Sequence, residues 1–209
     1  MNIKETIAGN RRRIQKEETR KIILESSRDL FNGLGFDKTS TRAIAMRAGV
    51  GVGTVFSHFP DKSSLLIAVL LDDLAATQAN AMKSMPKEGH VRDRFLHFAR
   101  FFYTYYSKHP DLSRTLLKEF WFVKGEWGEK LASQAFEFAI LVSDMLEHAK
   151  ERKEIRPEVD TILCARAFFT HYLFVLYEGL NNPEINVEVM LDTLKGMLNQ
   201  LLDGVGPTR

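Results

Sequence analysis

The sequence lacks several features of secreted and membrane proteins. Its 209 residues include one cysteine, Cys164, which cannot form a disulfide within the chain and fits a reducing cytosol. No segment reaches the roughly 18 consecutive apolar residues of a membrane span. The polar start, MNIKETIAGNRRR, has no apolar signal-peptide core. We therefore expect a cytoplasmic globular protein with no membrane association.

Alternation of apolar and polar residues with period two, the pattern of half-buried strands, is also missing. Six prolines and 13 glycines instead punctuate segments of helical period. The sequence therefore predicts an all-α fold with about nine helices. We expect them near residues 13–34, 40–49, 51–57, 62–85, 91–108, 111–122, 127–152, 158–180 and 186–203.

Charge and aromatic residues are unevenly distributed. Residues 1–62 contain 12 Lys and Arg against 7 Asp and Glu, or +5, although the whole chain carries a net charge of only +2. They contain four of the 22 aromatic residues. A basic segment is typical of a surface that meets a polyanion. We predict a basic arm over 1–14, a small polyanion-binding domain over 15–62 and a larger helical domain over 63–209.

The spacing Gly49-x-Gly51-x-Gly53 has two interpretations, a phosphate-binding loop or a helix-turn-helix. A dinucleotide fingerprint needs a third glycine at another spacing after a buried strand, and a P-loop needs Gly-Lys-Ser/Thr. Thr54 and Val55 follow Gly53, and no strand precedes it. Two short helices joined by a glycine-containing turn are typical of a helix-turn-helix instead. We find no cofactor-binding motif in the chain.

Helix-terminating residues surround this turn. Gly35 is suited to end the first helix, Ser40 to cap the second, and Gly49 to end the second in a left-handed conformation. Pro60 cannot lie within a helix interior, and Asp61 is placed to cap the next helix.

Residues 22–66, IILESSRDLFNGLGFDKTSTRAIAMRAGVGVGTVFSHFPDKSSLL, resemble the N-terminal DNA-binding domain of the TetR family of transcriptional repressors. The resemblance covers roughly residues 15–66. It rests on Phe31, Gly35, Thr39-Ser40, Ile44-Ala45, Ala48-Gly49-Val50, Gly53-Thr54, Phe59 and Lys62. Residues 67–209 match no motif, but their length and helicity agree with the family's ligand-binding and dimerisation domain.

The resemblance implies a repressor that leaves a near-palindromic double-stranded DNA operator when a hydrophobic small molecule binds. Arg42 would reach a base edge or phosphate, Lys62 would bind phosphate, and His58 is either a phosphate donor or a bystander. The implied DNA-binding residues are Thr41, Arg42, Val52, Gly53, Thr54, Ser57, His58 and Lys62. Phe56 and Gly51 depart from the tyrosine and serine common in the family.

Three consecutive arginines, residues 11–13, precede the expected start of the first helix. They would either lie along the DNA backbone or a minor groove, or form a solvated arm.

Aromatic residues dominate the larger domain. Phe95, Phe98 and Phe102 follow helical spacing, a pattern of either a core or a ligand pocket. The resemblance favours an apolar pocket for a sizeable inducer, with a polar contact from Tyr105, His171 or Tyr172. The expected ligand-binding residues are Phe98, Phe102, Tyr105, Phe120, Trp121, Phe136, His171 and Tyr172.

The last two helices, near 158–180 and 186–203, carry broad apolar faces. The resemblance implies that they form a homodimer; the alternative is that they complete the core of one chain. Asp144, Glu147, His148 and Glu151 share a helix face, which is either solvated or a metal site. We expect no bound metal.

The alternative function is a helical ligand-binding or scaffold protein without specific DNA binding. An enzyme is disfavoured because no nucleophile, base and orienting group occur together in a motif.

Overall fold

The computed structural model describes the backbone of residues 3–205 and the side chains of residues 10–204. The described residues form nine α-helices and no strand, which confirms the predicted all-α class. The helices are α1 (Ile3–Leu34), α2 (Thr41–Ala48), α3 (Val52–His58), α4 (Lys62–Lys83), α5 (Val91–Lys108), α6 (Pro110–Phe120), α7 (Gly125–Glu151), α8 (Thr161–Asn181) and α9 (Val187–Val205).

The first compact unit comprises residues 1–70, with α1, α2, α3 and the first part of α4. Its core contains apolar residues from each of these helices and the turn before α4. Fully buried members are Ile23, Phe31, Ile44, Val55, Phe59, Leu65, Leu66 and Ile67. The small helices α2 and α3 are therefore held by burial of one face each, because helices of this length are marginal alone.

The start of α1 differs from the expectation. The helix begins at Ile3 rather than near Arg13, so Arg11, Arg12 and Arg13 belong to α1 and do not precede it. Their side chains are exposed, and Arg13 donates a hydrogen bond to Asn10. Residues 3–12, the part of α1 that was not expected, carry no continuous apolar stripe that would have revealed the helix in the sequence.

The second compact unit comprises residues 71–209, with the remainder of α4 and α5 to α9. Within it α8 packs against α6, α7 and α9, and α5 packs against α6, α7 and α9. The rings of Phe95 and Phe168 lie 4.6 Å apart at the centre, and those of Tyr103 and Tyr172 stack at 5.2 Å. Most of the aromatic stripe predicted on α5 therefore packs in a core.

Among the described helices, α4 alone has the length and apolar composition of a membrane span. Its segment from Leu65 to Leu70 is buried within the first unit. This is the arrangement of a core helix in a folded domain.

Candidate DNA-binding surface and ligand cavity

The caps predicted around the helix-turn-helix are confirmed. The Ser40 side chain accepts a hydrogen bond from the Ala43 amide at 3.1 Å and so caps α2. Gly49 ends α2 with φ of 68°, where a side chain would be strained. Asp61 accepts a hydrogen bond from the Ser64 amide at 2.7 Å in the first turn of α4. Together the caps fix the start of α2, its turn into α3, and the start of α4.

Lys62 is held by the loop between α1 and α2. Its ammonium donates hydrogen bonds to the carbonyls of Phe36 at 2.8 Å and Thr39 at 3.1 Å. The same nitrogen lies 4.2 Å from the centre of the Phe36 ring. An ammonium has three N–H donors, so one remains beyond these two bonds. Lys62 therefore joins α4 to this loop in addition to any contact with DNA.

Most of the residues expected to contact DNA lie on accessible parts of α2 and α3. Arg42, Val52, Gly53 and Ser57 are exposed. The half-buried ones are Thr41, Thr54, His58 and Lys62. The Ser57 hydroxyl donates to the Thr54 carbonyl at 2.7 Å, so it is partly committed to the helix backbone. Val52 and Gly53 offer no side-chain donor, and Arg42 is the one cation in this set on α2 or α3.

His58 lies at the end of α3, near the basic face of α1. Partial burial lowers its pKa, and the positive charges of Lys16 and Arg20 lower it further, against a smaller opposing effect of Glu17. The imidazole is therefore neutral at pH 7. A neutral ring donates one hydrogen bond, so His58 contributes no full positive charge to this surface.

Two features of this unit were not expected from the sequence. Met46 on α2 is 80% exposed, although its chemistry favours burial. Arg47 forms an ion pair with Asp29 of α1 at 2.6 Å. Met46 has the helical spacing of a solvent-facing position relative to the buried Ile44 and Ala45, so periodicity could have indicated its exposure.

The second unit contains a narrow apolar slot of about 60 Å³. Its walls come from α4, α5, α6, α7 and α8. The lining residues are Leu74, Gln78, Phe102, Tyr106, Leu116, Leu117, Phe120, Leu131, Gln134, Ala135, Phe138, Phe169, Tyr172 and Leu173. None of them is ionised at pH 7. The volume of the slot is well below the roughly 300 Å³ of a small pocket for a drug-sized ligand, so a ligand of that size must widen it.

A wider cleft of about 550 Å³ adjoins the slot. Leu117, Phe169 and Leu173 line both spaces, so the two are separated by three apolar side chains. The cleft adds two cations of α6, Arg114 and Lys118. Arg114 donates to the Leu180 carbonyl at 2.8 Å and pairs with Asp111, which fixes its guanidinium at the cleft. An apolar interior therefore meets a positively charged edge.

The hydroxyl groups inside the slot are protonated at any physiological pH. Burial raises the pKa of Tyr106 to about 12, against an opposing hydrogen bond with Tyr172. Burial and the neighbouring tyrosines raise the pKa of Tyr172. Gln134 donates to the Leu71 carbonyl at 3.3 Å. The polar groups of the slot are thus neutral, and a charged ligand group would be poorly solvated there.

The ligand-binding residues expected from the sequence are divided among several places. Phe102, Phe120 and Tyr172 line the slot, and Trp121 lines the cleft. Phe98 is buried behind the slot, with its ring 5.1 Å from that of Phe138.

The other three expected residues lie elsewhere. Tyr105 donates to Asp73 at 3.2 Å and borders a separate depression between α4 and α5. Phe136 is 61% exposed on α7. His171 is half-buried and its Nδ1 bonds to the Ala167 carbonyl at 2.7 Å. Helical spacing identified the apolar faces of α5 and α8. It did not identify which side chains on those faces border the slot.

The acidic face of α7 has structural contacts. Glu147 accepts hydrogen bonds from Thr161 at 2.6 Å and Lys150 at 3.2 Å, and these bonds lower its pKa. Within the described part of the chain, no three His, Cys, Asp or Glu side chains are grouped closely enough to hold a metal ion.

Comparison with known proteins agrees with this geometry. Residues 23–69 match the family model of bacterial regulatory proteins of the tetR family. The HTH-type transcriptional repressor Rv1474c of Mycobacterium tuberculosis is 28% identical over 163 residues, covering 77% of this chain and 79% of the relative. The HTH-type transcriptional repressor KstR of Rhodococcus jostii is 40% identical over 55 residues, or 26% of each chain.

The chain carries a DNA-binding domain of the TetR family at residues 23–69. It is a TetR-type DNA-binding transcriptional regulator, as the sequence resemblance implied.

Solved structures of TetR-family regulators share the fold of this chain. FadR of Thermus thermophilus, a TetR-family repressor solved in complex with lauroyl-CoA, is 19% identical with a TM-score of 0.74, over 91% of this chain and 96% of the other. FadR of Bacillus subtilis, solved with stearoyl-CoA, is 14% identical with a TM-score of 0.69, over 88% and 98%. At this level of identity the similarity shows a shared fold alone.

Proposed function

We propose that this TetR-family regulator is a repressor that leaves its operator when an amphiphile with a long apolar tail binds the second unit. The observation that carries the proposal is the uncharged slot beside a cleft bearing Arg114 and Lys118. The tail would widen and fill the slot, and an anionic head would stay at the cleft. The acyl-CoA ligands of the two FadR proteins have this chemistry.

The apolar tail would supply most of the binding free energy. Each buried methylene contributes about 0.8 kcal/mol, so affinity should rise with chain length until the slot and cleft are filled. Widening the slot opposes binding because Phe138, Phe169 and neighbouring rings are closely packed. The cost of opening would therefore select ligands with a minimum tail length.

The head would be recognised by charge. Lys118 is exposed at the cleft and Arg114 is positioned there by its bonds to Leu180 and Asp111. Charge-assisted hydrogen bonds to phosphate or carboxylate are stronger than neutral ones. Free fatty acids and acyl-CoA both carry an anionic head, a carboxylate in one and phosphates in the other. Their relative affinities would identify which one the cleft accepts.

The ligand would act through α4, which belongs to both units. Leu74 and Gln78 of α4 line the slot, while Lys62 begins the same helix and binds the α1–α2 loop. Widening the slot would move α4 and change the setting of the DNA-binding helices. By linkage, DNA must weaken ligand binding by the factor with which the ligand weakens DNA binding.

The active form would be a homodimer formed through α8 and α9. These helices pack on each other where Gly179 meets Met190, since a Cβ on Gly179 would lie 2.5 Å from the Met190 sulfur. Large apolar side chains remain exposed on α8 and α9. Ile162, Leu163 and Val189 are among them, and the exposed Phe174 and Tyr177 line the cleft as well. A two-fold dimer would present two α3 helices to a near-palindromic operator in the cytoplasm.

Direct ligand binding tests the slot. Calorimetric titration of the purified chain with acyl-CoA of increasing tail length, free fatty acids and CoA alone should give binding that strengthens with tail length. Ala135 lines the slot, whereas Ala132 on the same helix is exposed outside it. Ala135→Trp should abolish binding and Ala132→Trp should retain it. Equal affinities for both variants would contradict the proposed site.

A salt series tests the competing function of a scaffold without specific DNA binding. Phosphate contacts make log K fall steeply with log salt, and specific binding adds a preference for one duplex. A chain that binds ligand but no duplex at low salt would support the scaffold instead.

A further inference from the structure

A concavity lies between α2 and α3 on the accessible face that carries Arg42. Its volume is about 550 Å³. Arg42 and Met46 of α2 border it on one side, and Gly51 and Val52 at the start of α3 border it on another. Met46 is 80% exposed and Val52 is 37% exposed. Two exposed apolar side chains and one guanidinium therefore border a single open space.

These side chains add little to the stability of the first unit. Arg42 and Met46 are four residues apart and share one face of α2, while the core is formed by Ile44 and Ala45. A methionine as exposed as Met46 buries little surface in the chain alone. Its apolar surface is available to a ligand at the same place as the Arg42 guanidinium.

The side chains around the concavity favour a ligand that places an apolar group beside a hydrogen-bond acceptor. They do not favour a phosphate, because Arg42 is the one cation among them. The Ser40 hydroxyl also lies at the concavity. It caps α2 by accepting a hydrogen bond from the Ala43 amide. Gly51 and Val52 contribute no side-chain donor. Recognition helices contact base edges with their first residues, so the start of α3 would face the major groove.

We propose that Arg42, Met46 and Val52 together recognise a thymine next to a guanine in each operator half-site. The Arg42 guanidinium binds N7 and O6 of the guanine, and Met46 and Val52 enclose the 5-methyl group of the thymine. The inference rests on the proposed operator binding and adds Met46 as a residue that determines sequence preference. It explains how an α3 that begins with two glycines around Val52 reads sequence.

Removal of single methyl groups from DNA tests the inference. An operator is first selected from a pool of random duplexes with the purified full chain. Each thymine is then replaced by deoxyuridine, which removes the methyl and keeps base pairing. Affinity is measured at fixed salt for the parent, Met46→Ala and the control Met82→Ala. Met82 is exposed on α4 in the second unit.

In each half-site, replacing the thymine beside a guanine by deoxyuridine should lower the affinity of the parent and of Met82→Ala about fourfold. This is the value of one buried methyl group. With Met46→Ala the same replacement should cost less than about twofold, because the methyl has lost its contact. Replacing that thymine by 5-methylcytosine, paired with guanine, should retain more affinity than replacing it by cytosine.

Two results would overturn the inference. One is a tightly bound operator in which no deoxyuridine changes the affinity of the parent. The other is an equal cost with Met46→Ala and the parent. If no duplex is selected above the random pool, the proposed operator binding fails instead, so the two failures are distinguishable.

Discussion

Lys62 illustrates how one side chain supports both the fold and a binding surface. Its ammonium bonds to two carbonyls of the α1–α2 loop and lies over the Phe36 ring. The resemblance to the TetR family implied a phosphate contact, and that contact remains a prediction. The position of the nitrogen indicates a structural role that the sequence did not reveal, because the partners lie 23 and 26 residues away.

Replacement of Lys62 by methionine should lower the free energy of unfolding by about 1–3 kcal/mol, since two carbonyls lose a charged donor. Urea denaturation measures the effect. Lys38→Met is the control, because Lys38 is an exposed lysine in the same loop. Unfolding free energies equal to that of the parent for both variants would show that the Lys62 bonds contribute nothing.

The glycines of the helix-turn-helix have different roles. Gly49 has φ of 68°, so Gly49→Ala should destabilise the chain by about 1 kcal/mol. Gly53 lies inside α3 with no atom within 4 Å of a built Cβ, so Gly53→Ala should stabilise it by up to about 1 kcal/mol.

The same Gly53→Ala change should weaken operator binding if the α3 backbone lies close against DNA. Denaturation and operator titration of both variants measure the two effects. A Gly53→Ala variant could be more stable than the parent and bind DNA equally tightly. That result would exclude a close approach of the α3 backbone to DNA at this position.

At the scale of elements, a single carboxylate caps α5. Glu154 accepts a hydrogen bond from the Val91 amide at 2.8 Å and pairs with Arg152 at 2.6 Å, and its side chain is 14% exposed. Burial alone would raise its pKa, but the bonds from Val91 and Arg152, with the charges of Arg152 and His90, lower it overall. The loop after α7 is thereby tied to the start of α5.

Glu154→Gln should therefore lower the free energy of unfolding at pH 7 by about 1 kcal/mol. The folded-state pKa of Glu154 lies below its ordinary value of 4.5, so its stabilisation is present above pH 4.5 and lost as pH falls through the folded value. The difference between parent and variant in denaturant titrations should shrink below pH 4.5. A difference that grows on acidification would contradict this sign.

Local signals predicted much of the fold. Ser40, Gly49 and Asp61 mark helix ends because caps depend on neighbouring residues, and the structure confirms each. The first ten residues of α1 were missed because a helix without a continuous apolar stripe leaves no periodic signal. The edges of the cavity were only partly predicted, since Phe98 and Phe102 share one face of α5 but only Phe102 borders the slot.

At the scale of the whole molecule, the proposed dimer accounts for the apolar side chains exposed on α8 and α9. Val189→Glu on α9 would bury two carboxylates in a two-fold interface, which is costly without partners. Light scattering of the parent should give twice the chain mass of 23.9 kDa, and the variant should approach one chain mass.

Phe136→Glu is the control, because Phe136 is an exposed phenylalanine on α7. It should retain the mass of the parent. A parent that scatters as a single chain at micromolar concentration would refute the dimer.

Ligand binding in the second unit is proposed to release DNA from the first. This coupling is tested most directly by fluorescence anisotropy of a labelled operator bound to the full chain and titrated with long-chain acyl-CoA. The parent and Ala132→Trp should release the operator, whereas Ala135→Trp should stay bound to it. An operator that remains bound to the parent at acyl-CoA concentrations that saturate the slot would contradict the coupling.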